Sequence, residues 1–263
     1  MSSEELVVEQ WEALVGKESS DAYRYNQPGM HQTTHQCANQ GGKPPLHPSI
    51  ASPPDVASVW PQSSVEVQAC PSDWREKICE WCYQVIDHCD IDRDVVSITL
   101  FYFDRYCAFH TNLDEALYQL VAMTSLYLAV KIHSPRKISV ASMVTLSRGH
   151  FRMDQVLKME ACIIKTLSWH LNPPTATLCL NTLEPLIDGL SDHADLTFNL
   201  KEHARYLIEL SVCDDFFIRM RPTSIAYGAL LMATHTLNAP RSVQHKLVSH
   251  SLDKDPATTR LCA

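Results

Sequence analysis

The chain has 263 residues, a formal net charge of −8, 45% hydrophobic residues and 20% charged residues. This composition fits one large or two ordinary soluble domains with a buried core, and it excludes a wholly disordered chain. Only seven residues are glycine, and outside the first fifty residues no two of them are close enough to form a phosphate-binding turn. The Rossmann and P-loop motifs are therefore excluded, and the scarcity of glycine favours a helical fold over one rich in hairpins.

The first seventy residues form an acidic N-terminal segment with three basic and eight acidic residues. Its start lacks the basic residues followed by an apolar run that mark a signal peptide. We therefore expect the protein, with its ten cysteines, in a reducing compartment. Residues 27–61 are rich in Pro, Ser, His, Gln and Gly, which predicts that residues 1–70 are mostly disordered. The apolar residues within 6–15 fit either a short helix that docks on the body or a partner, or a frayed segment.

Dense apolar periodicity predicts five helices between residues 71 and 171. The predicted helices cover residues 73–89, a segment from Asp92 or Asp94 to Phe109, a segment that Asp114 opens, residues 139–146 and residues 153–167. Residues 116–130 of the third helix carry no charge, which predicts that its whole circumference is buried. This apolar run is too short to span a bilayer, and the consecutive prolines that follow Asn172 end the unit.

A similar succession of helices is predicted in residues 172–263. Helices are expected over residues 175–188, residues 195–214 and, with Pro222 at the first helical position, residues 223–237. Corresponding helices of the two halves begin about a hundred residues apart, which suggests a tandem structural repeat. Because only about twenty-three residues follow Pro240, we expect the second unit to be incomplete or frayed.

Two groups of metal-binding residue types occur, but neither forms a complete site. Cys79 and Cys82 have the spacing of a redox or zinc motif, yet no strand precedes them and no second pair follows, so we interpret both as buried apolar groups. His31 and His35 are four residues apart without paired cysteines or a glutamate nearby. No hydrolase, metalloprotease or kinase motif occurs, so the sequence indicates no enzyme, no metal site and no cofactor.

Arg75 and Asp104 interrupt the apolar faces of two neighbouring predicted helices. An internal ion pair between them would fix the angle at which the two helices cross. Removing one partner of such a pair costs about 3–5 kcal/mol, because the other charge stays buried without compensation. We therefore expect Arg75 and Asp104 to form a structural ion pair.

Several runs of the sequence resemble the cyclin box in order and spacing. They cover residues 74–86, 100–109, 118–132 and 153–175, with a weaker continuation over residues 204–233. The chain is thus similar to cyclins, and the resemblance implies an all-α fold of two tandem five-helix units, residues 71–171 and 172–263, after the N-terminal segment. Arg75 and Asp104 match an ion pair of that family.

The resemblance implies a non-catalytic regulatory subunit that binds and activates a cyclin-dependent serine/threonine protein kinase in cell-cycle control. Lys131 and Glu160 match the family's kinase-binding pair, and Ile132 and His133, which follow Lys131 directly, are expected to contact the kinase as well. Many cyclins have two acids after this lysine where the chain has His133 and Ser134, so the choice of kinase is expected to differ. We expect a nuclear and cytoplasmic protein with kinase substrates as further partners, and without membrane or direct nucleic-acid binding.

Residues 131–165 contain seven cations and two acids, which gives this stretch a net charge of +5 in an acidic protein. A locally basic face suits an acidic or phosphorylated partner surface. The structural alternatives are solvated charge and, for Lys131, a helix-terminal cation that the helix macrodipole favours.

A substrate-docking groove of mitotic and S-phase cyclins has partial counterparts in this sequence. The corresponding positions are occupied by Trp74, Ile78, Trp81, Gln84 and Gln119. Lys77 places a charge where the family has an apolar wall, which weakens the expectation that Arg-x-Leu substrates dock there.

Two other classes of helical protein compete with this interpretation. A transcription factor IIB-like nucleic-acid-binding protein also has two cyclin-box-like units, but it is expected to be basic and to carry a zinc ribbon, and this chain is acidic. A helical scaffold without a kinase partner would show shorter repeats, and none is visible.

Overall fold

The computed structural model describes residues 3–18, 72–110, 113–189 and 194–249, and these residues contain helices and no strand. The all-α prediction with two tandem units is confirmed. In these ranges, no helix is both long and apolar enough to cross a membrane. His31 and His35, and most of the segment predicted to be disordered, lie outside the described residues.

Ten α-helices and one 3₁₀ helix make up the described part of the chain. In chain order they are α1 (Ser3–Glu18), α2 (Ser72–His88), α3 (Asp94–Phe109), α4 (Glu115–His133), α5 (Val140–Leu146), α6 (Met153–Thr166), α7 (Ala176–Asp188), α8 (Ala194–Cys213), the 3₁₀ helix (Asp215–Arg219), α9 (Pro222–Thr236) and α10 (Arg241–Ser249).

The first unit consists of α2 to α6 around α4. Residues 120–130 of α4 are all buried, with α3 and α6 packed against them. The prediction of a fully buried circumference is wrong for the first turn, where Ala116 and Gln119 are exposed because the neighbouring helices do not cover it. Side-chain caps fix the starts of two helices: Asp114, which was predicted to open α4, accepts a hydrogen bond from the Leu117 amide at 2.8 Å, and Ser139 accepts one from the Ser142 amide at 3.0 Å.

The start of α3 connects the first unit to the second. Asp92 accepts a hydrogen bond from the Asp94 amide at 2.9 Å, which forms a turn before the helix. Asp94 is the first residue of α3, and its carboxylate accepts a hydrogen bond from the Thr175 hydroxyl at 2.8 Å. Thr175 also caps α7 by accepting from the Leu178 amide. One threonine thus fixes the first helix of the second unit against α3.

The second unit consists of α7 to α10 and receives α1 from the N-terminus. Helix α1 packs against α7 and α9, and Trp11 is only 1% exposed within the second hydrophobic core. Leu14 and Val15 pack against the same core. Of the two alternatives for residues 6–15, the structure shows the docked helix. The second unit contributes four α-helices of its own within the described residues, and α1 completes its core.

Candidate functional site

Lys131 and Glu160 meet where the last turn of α4 crosses α6. The Lys131 ammonium donates a hydrogen bond to Glu160 Oε1 at 2.8 Å. The lysine side chain is 52% exposed, whereas the glutamate side chain is 10% exposed. The hydrogen bond to Glu160 raises the pKa of Lys131, so the ammonium is charged at neutral pH. Glu160 therefore holds a charged lysine at the surface.

The backbone at the end of α4 is fixed by a residue that the sequence analysis did not single out. Lys137 donates hydrogen bonds to the carbonyl oxygen of Lys131, at 2.9 Å, and to that of Ser134. These carbonyls have no partner within the helix, and a cation next to them also interacts favourably with the helix dipole. The signal in the sequence was a lysine placed shortly after the helix end.

Exposed apolar side chains lie on the two helices that carry the Lys131–Glu160 pair. Met153 and Leu157 are exposed and lie on the same side of α6 as Glu160, because they precede it by seven and three residues and these spacings share a helix face. Ile132 is exposed next to Lys131. We define the α4–α6 face as Lys131, Ile132, Met153, Leu157 and Glu160. This face combines a fixed cation with unburied apolar area, as is typical of protein-binding surfaces.

His133, the fourth predicted kinase contact, uses its side chain inside the protein. Its Nε2 lies 2.8 Å from the carbonyl oxygen of Leu171 and 3.1 Å from the hydroxyl of Tyr102. The Tyr102 hydroxyl also donates to Leu171. His133 therefore fastens the end of α4 to the segment between the two units, and its Nε2 is not directed to solvent.

Arg75 and Asp104 form a buried ion pair that also reaches the second unit. Arg75 Nε and Nη2 donate to the Asp104 carboxylate at 3.0–3.2 Å. Arg75 Nη1 donates to the carbonyl oxygens of Val212, at 2.8 Å, and Cys213, at 3.2 Å. Burial raises the pKa of the Asp104 carboxyl, and the charge of Arg75 opposes this rise. The pair thus joins α2, α3 and the end of α8.

Cys79 and Cys82 are fully buried, and the structure does not pair them with each other. The sulfur of Cys79 instead lies 2.9 Å from the sulfur of Cys213, at the end of α8. No group of three or more cysteine, histidine or acidic side chains with metal-binding geometry occurs in the described ranges.

The predicted docking residues only partly form a surface. Trp74 and Trp81 are half-buried against the first core, and Ile78 is buried within it. Gln84, whose amide donates to Glu80 at 3.3 Å, and Gln119 are exposed. The ammonium of Lys77 lies 5.8 Å from the centre of the Trp74 ring, so a cation covers part of the apolar surface that a docked peptide would use.

Family models match both halves of the chain. The model described as the N-terminal domain of cyclin matches residues 57–172, and the model described as the C-terminal domain of cyclin matches residues 188–262. The two matched ranges together cover most of the chain.

Curated relatives are similar over part of their length. The G2/mitotic-specific cyclin-A of Drosophila melanogaster is 27% identical over 164 residues, which cover 62% of this chain and 32% of that protein. The G1/S-specific cyclin-E1 of Gallus gallus is 32% identical over 109 residues, which cover 41% of this chain and 26% of that protein. The similar region thus spans about a third or less of these relatives.

Solved structures share the fold. The crystal structure of a viral cyclin from herpesvirus saimiri has a TM-score of 0.55 and 20% identity, and the match covers 71% of this chain and 90% of that chain. A chain of the yeast TFIIK complex of Kin28, Ccl1 and Tfb3 has a TM-score of 0.57 and 17% identity, with 72% and 82% covered. At these identities the similarity establishes the fold alone.

Proposed function

The chain belongs to the cyclin family, and from this premise we propose that it is a non-catalytic regulatory subunit that binds and activates a cyclin-dependent serine/threonine protein kinase. Its role would be in cell-cycle control, within the nucleus and the cytoplasm. The names of the relatives, G2/mitotic-specific and G1/S-specific cyclins, support this role. A chain of similar fold belongs to the yeast TFIIK complex of Kin28, Ccl1 and Tfb3, which fits a role as one subunit of a protein complex.

The observation that carries the proposal is the composition of the α4–α6 face. Within the described residues, the Lys131 ammonium has one hydrogen-bond acceptor, Glu160 Oε1, although it carries three donors. The remaining donors of Lys131 can bond to main-chain carbonyls of a partner helix. Fully burying an exposed Leu, Ile or Met side chain contributes about 1.5–3 kcal/mol, and Ile132, Met153 and Leu157 are each 42–48% exposed. Each can therefore contribute about half of that value as the apolar part of the contact.

Activation would follow from selective binding to one kinase conformation. A kinase is active when its regulatory helix and its activation segment are both in place. A subunit that binds the active arrangement about 10⁴-fold more tightly than the inactive one shifts the population from about 1:99 to about 99:1. The rigid end of α4, which Lys137 and His133 hold on both sides, suits this task because it presents Lys131 in one position.

Affinity purification of the tagged full-length chain, followed by a histone kinase assay on the recovered complex, tests the proposal. We expect the wild-type chain to recover a cyclin-dependent kinase and its activity. The double variant Lys131→Ala, Glu160→Ala should reduce recovered kinase and activity by about 100-fold or more, with an unchanged helical circular dichroism spectrum.

The ion pair Lys201–Asp188 in the second unit provides a matched control, because its N–O distance is also 2.8 Å and Asp188 is exposed. The double variant Lys201→Ala, Asp188→Ala should recover as much kinase as the wild type. Full recovery of kinase by the Lys131→Ala, Glu160→Ala variant would contradict the assignment of the site. Salt-dependent retention on DNA without any recovered kinase would contradict the proposed function itself.

A further inference from the structure

Two cysteines from different units lie in contact where α2 packs against α8. The sulfur atoms of Cys79 and Cys213 are 2.9 Å apart, although 134 residues separate them in sequence. A disulfide has a sulfur–sulfur bond of about 2.05 Å, so its formation requires the two sulfurs to approach by less than about 1 Å. The two thiols are therefore nearly in bonding position without being bonded.

The surrounding hydrogen bonds hold both cysteines in this position. Arg75 lies one turn before Cys79 on α2, and its Nη1 donates to the carbonyl oxygens of Val212 and Cys213. The Cys213 thiol donates to the carbonyl oxygen of Glu209 within α8 at 3.9 Å. The buried arginine thus ties the backbone of one cysteine to the helix that carries the other.

The two thiols differ in accessibility, which sets the order of any reaction with a reagent. Cys79 is fully buried, whereas Cys213 is only half-buried, and the exposed residues Asp214 and Asp215 follow it directly. Burial also raises the pKa of the Cys79 thiol, so Cys79 is protonated at neutral pH. A small reagent therefore meets Cys213 first.

We propose that Cys79 and Cys213 are a reversible modification site at which exchange with a small-molecule disulfide forms an intramolecular disulfide between the two units. In the first step the Cys213 thiolate attacks one sulfur of the reagent, and the other half of the reagent leaves as a thiolate. In the second step Cys79 loses its proton, attacks the Cys213 sulfur of the mixed disulfide and releases the second half. Two protein thiols are oxidised, one reagent disulfide is reduced to two thiols, and these thiols take up the two cysteine protons.

The cross-link would stabilise the folded chain without blocking the α4–α6 face. It closes a loop in the unfolded chain between residues 134 apart. The entropy that such a cross-link removes from the unfolded chain increases with the length of the loop. The α4–α6 face lies on α4 and α6, whereas the two cysteines lie on α2 and at the end of α8. A failure of kinase binding would therefore not affect this inference. The absence of a disulfide would likewise not affect the proposed kinase binding.

The test treats the full-length chain with hydroxyethyl disulfide, which carries no charge that Asp214 and Asp215 would repel. After N-ethylmaleimide blocks the remaining thiols at mildly acidic pH, digestion and mass spectrometry identify the linked peptides. We expect a peptide that joins Cys79 to Cys213, and a melting temperature at least about 5 °C above that of the reduced chain. Dithiothreitol should reverse both changes.

Two variants keep the test decisive. Cys213→Ser should lose both the linked peptide and the thermal gain. Cys89→Ser is the matched control, because Cys89 is also half-buried and follows the end of α2, and this variant should keep both. The proposal is overturned if Cys79 stays unoxidised while Cys213 stops at the mixed disulfide, or if Cys79 pairs with Cys82 instead.

Discussion

Two of the ion pairs in the first unit, each between two of its helices, differ mainly in their exposure to solvent. Arg75–Asp104 and Lys131–Glu160 each join residues 29 apart in sequence and connect two helices of this unit. The side chains of the first pair are 5% and 8% exposed, whereas the lysine of the second pair is 52% exposed. Arg75 donates hydrogen bonds to four acceptor atoms of the protein. Lys131 donates to one, a carboxylate oxygen of Glu160.

This difference shows how burial separates a charge that holds the fold from one that can bind a partner. A buried pair that is bonded on all three guanidinium nitrogens and enclosed by the protein is out of reach of another molecule, and the loss of one partner leaves a charge without compensation. A half-exposed lysine contributes little to stability, since water competes for its hydrogen bonds. Its unused donors can bind a second protein.

The largest expected effect is that of Arg75→Ala on stability. This substitution removes the partner of the buried Asp104 carboxylate and two bonds to the end of α8, so the free energy of unfolding should fall by about 3–5 kcal/mol. Urea denaturation followed by circular dichroism measures the change. Arg75→Lys keeps the charge but loses the planar guanidinium that bonds both carboxylate oxygens. Its free energy of unfolding should lie between those of the wild type and Arg75→Ala. A loss below about 1 kcal/mol for Arg75→Ala would remove the distinction between the two pairs.

Lys131→Ala should have the opposite profile. We expect kinase affinity to weaken by about 10- to 100-fold, which corresponds to about 1.4–2.7 kcal/mol. The free energy of unfolding should fall by about 1–2 kcal/mol, less than for Arg75→Ala, because Glu160 loses its partner but its side chain keeps some contact with water. Titration calorimetry with the kinase recovered from the pull-down measures the first quantity, and urea denaturation measures the second. A variant that unfolds more easily but binds with unchanged affinity would make Lys131 a structural residue.

The apolar part of the α4–α6 face gives a smaller effect with a clear control. Leu157→Glu should weaken kinase binding by at least about 10-fold, because an interface would have to bury the new charge, and should change stability by about 0.5 kcal/mol or less. Leu178→Glu alters a similarly exposed leucine on α7 of the second unit, and we expect no change in affinity. Equal losses in the two variants would indicate a nonspecific effect of the added charge.

The smallest expected effect concerns pH and a histidine between α3 and α6. Burial lowers the pKa of His110 below its ordinary value of 6.5; its ring stacks on Tyr106, and its Nε2 lies 3.1 Å from the Thr166 hydroxyl. The unfolded chain therefore binds the proton more readily, so the contribution of His110 is fully present above about pH 6.5 and is lost as pH falls through the lower folded-state pKa.

Because His110 is only half-buried, we expect this loss to be about 1 kcal/mol or less. Urea denaturation between pH 7 and pH 5 measures this loss. In the variant His110→Asn, the free energy of unfolding should depend less on pH over this range. An unchanged pH dependence in the variant would assign the effect to other groups. Neither ion pair should respond to this substitution.

Local signals predicted most of the fold. Asp114, Ser139 and Thr175 cap helices where the sequence places hydrogen-bonding side chains before an apolar run, and Pro222 opens α9. The helix ends predicted for α2, α5, α6, α7, α8 and α9 lie within one residue of the observed ones. The sequence did not predict which neighbours cover a helix, so the exposed first turn of α4 was missed.

Of the candidate site, the lysine and glutamate were found by their resemblance to a family pattern, and the structure places them in contact. The contacts of Arg75 with Val212 and of Cys79 with Cys213 could not be predicted, because their partners come from the second unit, more than 130 residues away. The inward position of the His133 Nε2 depends likewise on Leu171, which tertiary packing alone brings into reach.

Backbone hydrogen exchange of the full-length chain, free and bound to the recovered kinase, tests the central claim most directly. If the α4–α6 face binds the kinase, exchange slows in residues 131–133 and 153–161 and is unchanged in residues 72–79 and 208–213, where the buried pair lies. Slower exchange confined to residues 72–79 and 208–213, with no change around Lys131 and Glu160, would contradict the account.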